Sequence, residues 1–251
     1  MMRSTRSKLL PHWGKIEAAR YKEALGHSAV TLLDEEIERF YASELKKIDP
    51  GIGLVGEEFG GDREAGDYWI ADPVDGTAHF IRGMPFCSTM LARIKDGQVI
   101  FGAIYDFIND VMYHAEKGKG AYKDDERIHV SARPIKSAYL GYETHLDKPE
   151  NLERFLKLSK NSVMFKTVSA GWEYVQVAMG AIDGRVCFDP HGKDYDYAPG
   201  SLLVSEAGGK VANLGSTSYD FRNTDFIAAN TEVFDALTKG KDALFPIKAG
   251  K

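Results

Sequence analysis

The sequence is poor in cysteine, in long apolar runs and in positive charge, and each shortage excludes a class of protein. Its 251 residues include two cysteines, Cys87 and Cys187, which are too few for a disulfide framework or a cysteine zinc site. It contains no run of about 18 apolar residues, and its basic start lacks an apolar segment, so we expect neither a membrane span nor a signal peptide. A net charge of -5 argues against a nucleic-acid-binding surface. We therefore expect a protein of the reducing cytoplasm.

The composition that remains is typical of a globular protein. Hydrophobic residues make up 43% of the chain and charged residues 27%, and the length suffices for a sizeable core. No low-complexity linker and no repeat of solenoid period divides the sequence. We therefore predict a single domain over residues 1–251, with a first half of about 1–135 and a second half of about 136–251.

Hydrophobic periodicity predicts both helices and strands in this domain. Spaced apolar positions predict a helix over 15–48, ended by the turn residues Asp49, Pro50 and Gly51. We predict further strands at 53–55, 68–71, 86–94, 98–107, 111–115, 185–188 and 226–229, and further helices opening near Gly76 and at 149–160, 170–181, 197–207 and 231–239. Helices that alternate with mixed strands in layers predict an α+β fold, or α/β with a largely antiparallel first half.

Acidic residues collect where these elements end, which is where functional sites are usually built. Asp72 and Asp75 follow the strand at 68–71, and Pro73 biases Asp72 towards extended geometry. Gly76 and Thr77 open a predicted helix whose free N–H groups suit a phosphate. Read alone, this stretch is more simply an ordinary polar connection between a strand and a helix. Read as a site, one short turn offers carboxylates for a hard cation such as Mg²⁺ beside donors for an anion.

Several short segments follow a recognisable pattern along the chain. The core pattern W-x-x-D-P-[IVL]-D-G-T is met by residues 69–77, and an upstream G-E-E by residues 56–58. A V-T-x-x-D pattern is met by residues 30–34. A later W-D-x-A-A-G pattern appears with two changes at residues 195–200 and is followed by E-A-G-G at 206–209. Together these segments resemble the signatures of the inositol monophosphatase superfamily of metal-dependent, lithium-sensitive phosphatases.

The resemblance implies the layered α-β-α-β-α sugar-phosphatase fold, with the G-E-E and D-P-V-D-G-T motifs in the first half and D-Y-A-P-G in the second. It also implies two or three Mg²⁺ ions and a water molecule, activated by metal, that attacks the phosphate. Family members are often homodimers. The residues that match metal ligands are Glu57, Asp72, the main-chain carbonyl of Val74, Asp75 and Asp196, with Glu58 expected beside the ligands rather than on the ion.

The same resemblance implies roles in catalysis and substrate binding. Asp34 and Thr77 would orient and deprotonate the attacking water, although Asp34 is also a plausible helix-cap residue. Asp196 is likewise a favourable charge at a helix N-terminus. In the inositol-binding members a Gly-Thr-Ala segment and a glutamate contact the sugar, and this chain differs from them at both places. The positions that match substrate contacts are Gly76, Thr77, Ser169, Ala170 and Asp189.

The function predicted from these observations is a Mg²⁺-dependent phosphomonoesterase for a small polyol or sugar phosphate, with inositol monophosphate as the leading substrate. Alternatives within the superfamily are 3′(2′),5′-bisphosphate nucleotidase, fructose-1,6-bisphosphatase and histidinol-phosphatase. A haloacid-dehalogenase phosphatase needs two aspartates two positions apart, whereas Asp72 and Asp75 are three apart. A catalytically silent binding or regulatory protein is the alternative from another class.

Overall fold

The computed structural model describes residues 1–18, 20–21 and 29–247. Within them two sheets alternate with helices. A two-stranded antiparallel ribbon near the start of the chain joins strands β1 and β2, Arg20–Tyr21 and Ala29–Val30. Among the described residues, no helix is both long and apolar enough to cross a bilayer.

The first sheet has seven strands in the order of the sequence. Its first pair, β3 with β4, is parallel, and all the others are antiparallel. This arrangement confirms the antiparallel character expected of the first half. The strands are β3 Gly53–Gly56, β4 Asp67–Asp75, β5 Ser88–Lys95, β6 Gln98–Asp106, β7 Val111–Glu116, β8 Gly120–Lys123 and β9 Glu126–Arg127.

The second sheet has five strands, in the order β11-β10-β12-β14-β13. Strand β10 pairs in parallel with β11 and with β12, while β14 lies antiparallel between β12 and β13. The strands are β10 Tyr139–Glu143, β11 Val163–Lys166, β12 Gly184–Cys187, β13 Lys210–Asn213 and β14 Phe226–Ala229.

The helices complete a layered arrangement around these sheets. They are α1 Arg6–Leu9, α2 Leu32–Ile48, α3 Thr77–Ile81, α4 Pro149–Ser159, α5 Ala170–Ala178, α6 Asp194–Glu206 and α7 Thr231–Thr238. Apolar residues of α2 share a buried cluster with the first sheet, and those of α4 and α7 share one with the second. Helices α5 and α6 share a third cluster with strands of both sheets. The α-β-α-β-α order that the family resemblance implied is confirmed.

The helix predicted over 15–48 is wrong at its start. The structure begins α2 at Leu32, and residues 15–18 are not helical; residues 19 and 22–28 lie outside the described part of the chain. The start is set by Thr31, whose hydroxyl accepts a hydrogen bond from the N–H of Leu33 while Asp34 accepts one from the N–H of Thr31. This reciprocal capping box ends the extended backbone and opens the helix.

Other predictions also differ from the structure. The helix expected at 197–207 begins three residues earlier, at Asp194. The turn expected after residue 71 is strand, because β4 continues to Asp75. The strands that were not predicted have two to five residues each, and so short a run shows only a weak hydrophobic period; they are β1, β2, β8, β9, β10, β11 and β13. The two sheets lie in the two halves of the chain named above; that these form one domain stays a prediction.

Candidate active site

The end of β4 carries two of the candidate ligands on an irregular stretch of strand. Asp72 pairs with Met90 and Asp75 with Ser88, so β4 has one residue more than β5 between these pairs. Residues three apart in a regular strand point to opposite faces. The bulge changes this alternation and turns both carboxylates to one side. Pro73 lies in the bulge, where a missing N–H donor is tolerated.

The third carboxylate comes from a distant segment. Asp196 is the third residue of α6, and the N–H of Lys193 donates to its Oδ2 at 2.5 Å. Carboxylate oxygens of Asp72, Asp75 and Asp196 all lie within 4.8 Å of one another. The structure therefore brings together three of the five residues that the sequence indicated as metal ligands.

The electrostatics of this cluster fit a divalent cation. Burial and repulsion from neighbouring carboxylates raise the pKa values of Asp72 and Asp196 well above their usual range. Burial also raises the pKa of Asp75, although hydrogen bonds from Ser169 and from the N–H of Gly171 oppose the shift. Buried like charges are costly unless a cation compensates them. Because every donor is a hard oxygen atom, the cluster suits an ion such as Mg²⁺.

Glu57 and Glu58 lie in the turn that follows β3. The charge of Glu57 contributes to raising the pKa of both Asp72 and Asp196, which puts its carboxylate close to the cluster. It is not among the three residues whose oxygens meet within 4.8 Å. The predicted ligand role of Glu57 and the neighbouring role of Glu58 stay predictions.

This turn is held by Glu38 of α2, which the sequence analysis did not single out. The buried Glu38 carboxylate accepts hydrogen bonds from the N–H groups of Glu58 at 2.7 Å and Phe59 at 2.9 Å. A Cβ on Gly56 would come within 1.9 Å of Glu38 Oε1, so glycine makes room for this contact. The available signal was a charged residue on the apolar face of α2, between Ile37 and Tyr41.

Asp34 and Thr77 are hydrogen-bonded to each other, and their predicted roles in catalysis stay predictions. Asp34 is 1% exposed, and its Oδ2 accepts from the N–H of Thr31 at 2.7 Å and from the Thr31 hydroxyl at 2.6 Å. Burial raises the pKa of Asp34 to about 6. Thr77 Oγ1 lies 3.0 Å from Asp34 Oδ1 and 2.8 Å from the carbonyl oxygen of Val74. Since the hydroxyl has one proton, it donates to one of these oxygens at a time.

Gly76 joins β4 to α3 in a conformation that requires glycine. Its φ of 78° is left-handed, and an added Cβ would lie 2.2 Å from the carbonyl oxygen of Phe86. Thr77 then begins α3 directly beside Asp75. The backbone of these residues thus approaches the cluster closely, and their phosphate-binding role stays a prediction.

The predicted substrate contacts at the start of α5 bind a site carboxylate. Ser169 Oγ donates to Asp75 Oδ2 at 2.6 Å, the N–H of Gly171 donates to the same atom at 2.8 Å, and the N–H of Ala170 donates to Oδ1 at 3.1 Å. The N-terminus of α5 therefore orients Asp75. A substrate role for Ser169 and Ala170 stays a prediction.

Asp189 is engaged by groups of the second half of the chain. Its Oδ2 accepts from Lys148 Nζ at 2.6 Å and from Asn151 Nδ2 at 2.8 Å. The ion pair with Lys148 holds the pKa of Asp189 below its usual range. If Asp189 accepted a hydrogen bond from a substrate hydroxyl, its carboxylate would bind that hydroxyl and Lys148 at the same time.

Known proteins are similar to this chain in sequence and in fold. A family model, described as the inositol monophosphatase family, matches residues 7–241. A fructose-1,6-bisphosphatase/inositol-1-monophosphatase of Thermotoga maritima is 30% identical over 243 residues, which cover 95% of this chain and 92% of the relative. An inositol-1-monophosphatase of Mesorhizobium japonicum is 30% identical over 218 residues, with 84% and 81% covered. The solved structure of an IMPase from Thermotoga maritima has a TM-score of 0.83 at 27% identity, covering 93% of this chain and 91% of that one.

Proposed function

The chain belongs to the inositol monophosphatase family, and on that premise we propose that it hydrolyses inositol monophosphate or a closely similar cyclic polyol or sugar phosphate in the presence of Mg²⁺. Enzymes of this family are phosphoric monoester hydrolases. One observation carries the proposal for this chain: three carboxylates converge within 4.8 Å of one another. Thr77, the first residue of α3, lies next along the chain, and its hydroxyl is hydrogen-bonded to the buried Asp34.

The proposed ligands divide between two ions, with a third ion held more weakly by Glu57 and water. This division is supported by the charges around Asp72, because burial and then the carboxylates of Glu57, Asp75 and Asp196 raise its pKa. Bound Mg²⁺ would neutralise the phosphoryl oxygens, acidify a water molecule and stabilise the departing alkoxide. The first ion would use Glu57, Asp72 and the Val74 carbonyl; the second would use Asp72, Asp75 and Asp196.

The chain's own acid–base group is the Asp34–Thr77 pair. When Asp34 is ionised, the Thr77 hydroxyl can donate to it, and the oxygen of that hydroxyl then stays free to accept a hydrogen bond from the attacking water. Thr31 keeps the Asp34 carboxylate in place through two hydrogen bonds. This pair would therefore orient the attacking water and accept its proton.

Asp189 bears on the identity of the leaving group. Asp189, at the position that matches a hydroxyl-binding glutamate, is ion-paired with Lys148. Fructose 1,6-bisphosphate is a second candidate, because the Thermotoga relative is named a fructose-1,6-bisphosphatase as well as an inositol-1-monophosphatase. A 3′(2′),5′-bisphosphate nucleotide and histidinol phosphate are the remaining alternatives.

A panel of phosphate esters tests the function. Inositol 1-phosphate, fructose 1,6-bisphosphate, histidinol phosphate and adenosine 3′,5′-bisphosphate are each assayed for phosphate release with Mg²⁺ and with EDTA. We expect release from inositol phosphate that requires Mg²⁺. Preferred release from another ester would change the substrate, and no release from any ester would favour a binding or regulatory role.

Three further properties are proposed, the first two on the family resemblance and the third on the low cysteine content of the sequence. We expect Li⁺ to inhibit hydrolysis, two copies of the chain to associate as a homodimer, and the protein to work in the cytoplasm. Light scattering of the purified protein would measure its mass against the 27.8 kDa of one chain.

A further inference from the structure

A fully buried arginine lies behind the candidate site, and the proposed mechanism does not use it. Arg185 in β12 is 0% exposed, and its guanidinium lies 5.0 Å from the ring centroid of Tyr174 and 5.3 Å from that of Tyr197. A buried guanidinium needs carboxylate partners. Arg185 has two: Glu143 accepts a hydrogen bond from Nη2, and Glu173 Oε2 lies 3.7 Å from Nη1.

The first partner holds the segment that leads into Asp196. Glu143 Oε1 accepts hydrogen bonds from the N–H groups of His191 at 3.1 Å and Gly192 at 2.8 Å, and from the Tyr197 hydroxyl at 3.1 Å. These contacts fall on both sides of Asp196 in sequence. The segment also lies against the Asp196 carboxylate, because a Cβ on Gly192 would be 3.1 Å from Asp196 Oδ2.

The second partner holds the turn that supplies donors to Asp75. Glu173 is 0% exposed and accepts from the N–H of Val168 at 3.0 Å, while the Thr167 hydroxyl donates either to Glu173 Oε2, 3.2 Å away, or to the carbonyl oxygen of Tyr142. The three residues that follow, 169–171, donate the hydrogen bonds to Asp75 described above. Glu173 therefore holds the backbone just before the donors that orient Asp75.

We propose that Arg185, through Glu143 and Glu173, is a positioning residue that sets Asp196 and Asp75 at the spacing required by the second ion. The inference deepens the proposed function and rests on its assignment of that ion. One buried cation binds two carboxylates, and each carboxylate fixes the main chain beside a different ligand. The two ligands come from elements far apart in sequence, so their spacing depends on this connection.

The shape of the guanidinium explains why arginine occupies this position. Its planar fork carries five donors and fits between the two tyrosine rings while reaching both carboxylates. A lysine ammonium is a single point of charge on a flexible stem and cannot occupy both positions at once. Replacement by lysine therefore keeps the charge in the core while it loses the geometry.

Arg133, near the end of the first half of the chain, offers a control. Its Nε lies 2.8 Å from Oδ1 of the fully buried Asp183, and its Nη2 donates to the carbonyl oxygens of Gly180 and Ala181. This ion pair also joins an arginine to a buried carboxylate, but its hydrogen bonds go to the end of α5 rather than to the segments around Asp75 and Asp196. Arg133→Lys should therefore perturb stability without affecting the second ion.

The experiment compares Arg185→Lys with Arg133→Lys. Calorimetric titration with Mg²⁺ should show one site weakened by on the order of 10- to 100-fold in Arg185→Lys, as is usual for residues that orient metal ligands. In the ion-free protein, amide hydrogen exchange should increase in both 167–171 and 191–197. The control should leave Mg²⁺ affinity and both segments unchanged. Arg185→Lys behaving like the control in a folded protein would overturn the inference.

Two conservative variants keep the test decisive if Arg185→Lys fails to fold. Glu143→Gln should increase exchange in 191–197 alone, and Glu173→Gln in 167–171 alone, with weaker Mg²⁺ binding in each. If both variants keep wild-type exchange and affinity, Arg185 has only a role in the fold. A wild-type protein that hydrolyses no ester would contradict the proposed function, but the calorimetric and exchange measurements would still decide the role of Arg185.

Discussion

At the scale of single residues, the site is a set of carboxylates held by specific donors. Asp72, Asp75 and Asp196 repel one another in a buried environment, and each would be more stable with a cation beside it. Asp34 stands apart, because it belongs to the capping box of α2 and is not one of the three clustered carboxylates. The carboxylate cluster and the Asp34–Thr77 pair are therefore distinct parts of the site. The role of each can be tested with a variant that removes one charge.

Removing the charge of Asp196 should separate catalysis from stability. Asparagine keeps the shape and can still accept from the N–H of Lys193, so Asp196→Asn should fold. Because one of three repelling carboxylates is gone, its melting temperature in EDTA should equal or exceed that of the wild type. Its kcat should fall by on the order of 10²-fold or more, since the second ion would lose a ligand.

The matched control for Asp196→Asn is Asp194→Asn in the same first turn of α6. Asp194 is paired with Arg63 and is not part of the carboxylate cluster. We expect its activity to stay within a few fold of the wild type. Near-normal kcat in Asp196→Asn, measured by phosphate release, would reduce Asp196 to a partner of the helix dipole.

Asp34 should make the ion-free protein less stable as the pH rises. Its carboxyl has a pKa of about 6 in the folded protein, above its ordinary value near 4, so the folded state holds the proton more tightly. The contribution of the protonated Asp34 to the free energy of unfolding is complete below pH 4 and is lost as the pH rises through 6. A shift of about two pKa units corresponds to about 3 kcal/mol.

The measurement is the free energy of unfolding of wild type and of Asp34→Asn in EDTA, from pH 4 to 7. Because asparagine does not titrate, the free energy of unfolding of the variant should rise relative to that of the wild type by about 3 kcal/mol between pH 4 and pH 7. Its kcat with Mg²⁺ should fall by on the order of 10²-fold or more if Asp34 serves as the base. A stability difference that does not change with pH would show that Asp34 has an ordinary pKa.

At the scale of elements, the ends of β4, α5 and α6 do the positioning. The bulge in β4 turns two carboxylates to one side, the N-terminus of α5 donates to one of them, and the first turn of α6 supplies the third. Helices α5 and α6 pack closely at Gly200, where an added Cβ would lie 2.0 Å from Cγ of the buried Tyr174. Their close packing therefore depends on a residue without a side chain.

Gly200→Ala tests this packing. Replacing a helical glycine by alanine ordinarily gains up to about 1 kcal/mol. Here the added methyl group meets the ring of Tyr174 in a filled core, and overpacking costs about 1–3 kcal/mol. We expect the clash to win and the free energy of unfolding, measured with urea, to fall.

Gly51→Ala is the matched control, since an added Cβ there has nothing within 4 Å. It should leave the unfolding free energy within about 0.5 kcal/mol of the wild type. A Gly200→Ala variant as stable as Gly51→Ala would mean that the two helices can separate at no cost.

At the scale of the whole molecule, the candidate site joins the two halves of the chain. Asp72 and Asp75 belong to the first sheet, while Asp196 lies on α6, which shares a core cluster with both sheets. A cation bound there would hold the halves together and relieve part of a net charge of -5. Metal binding should therefore stabilise the entire fold.

Mg²⁺ should raise the melting temperature. A ligand at 100 times its dissociation constant adds about 2.7 kcal/mol. For a chain of this size each kcal/mol corresponds to about 2–4 °C, so we expect a rise of about 5–10 °C over the protein in EDTA. Scanning calorimetry at equal ionic strength, with KCl in place of MgCl₂, separates ion binding from screening. An equal melting temperature in both salts would contradict a folded-state Mg²⁺ site.

The sequence by itself determined the family, the order of most elements and the residues of the carboxylate cluster. These features are local: short motifs such as residues 69–77, and periodic segments such as α4 and β6, can be recognised without knowledge of distant contacts. The capping box at Thr31 was equally local, yet the long apolar period before it hid the start of α2. Periodicity does not show where a helix begins.

Only the tertiary structure decided how these residues are held. The bulge at Pro73 depends on pairing with β5, and Glu38, Glu143 and Arg185 act on segments many positions away in sequence. A charged residue on an apolar face is visible in a sequence, but its partner is not. Burial makes each of these contacts necessary, because a buried charge must find a donor or a counter-charge wherever the fold brings one within reach.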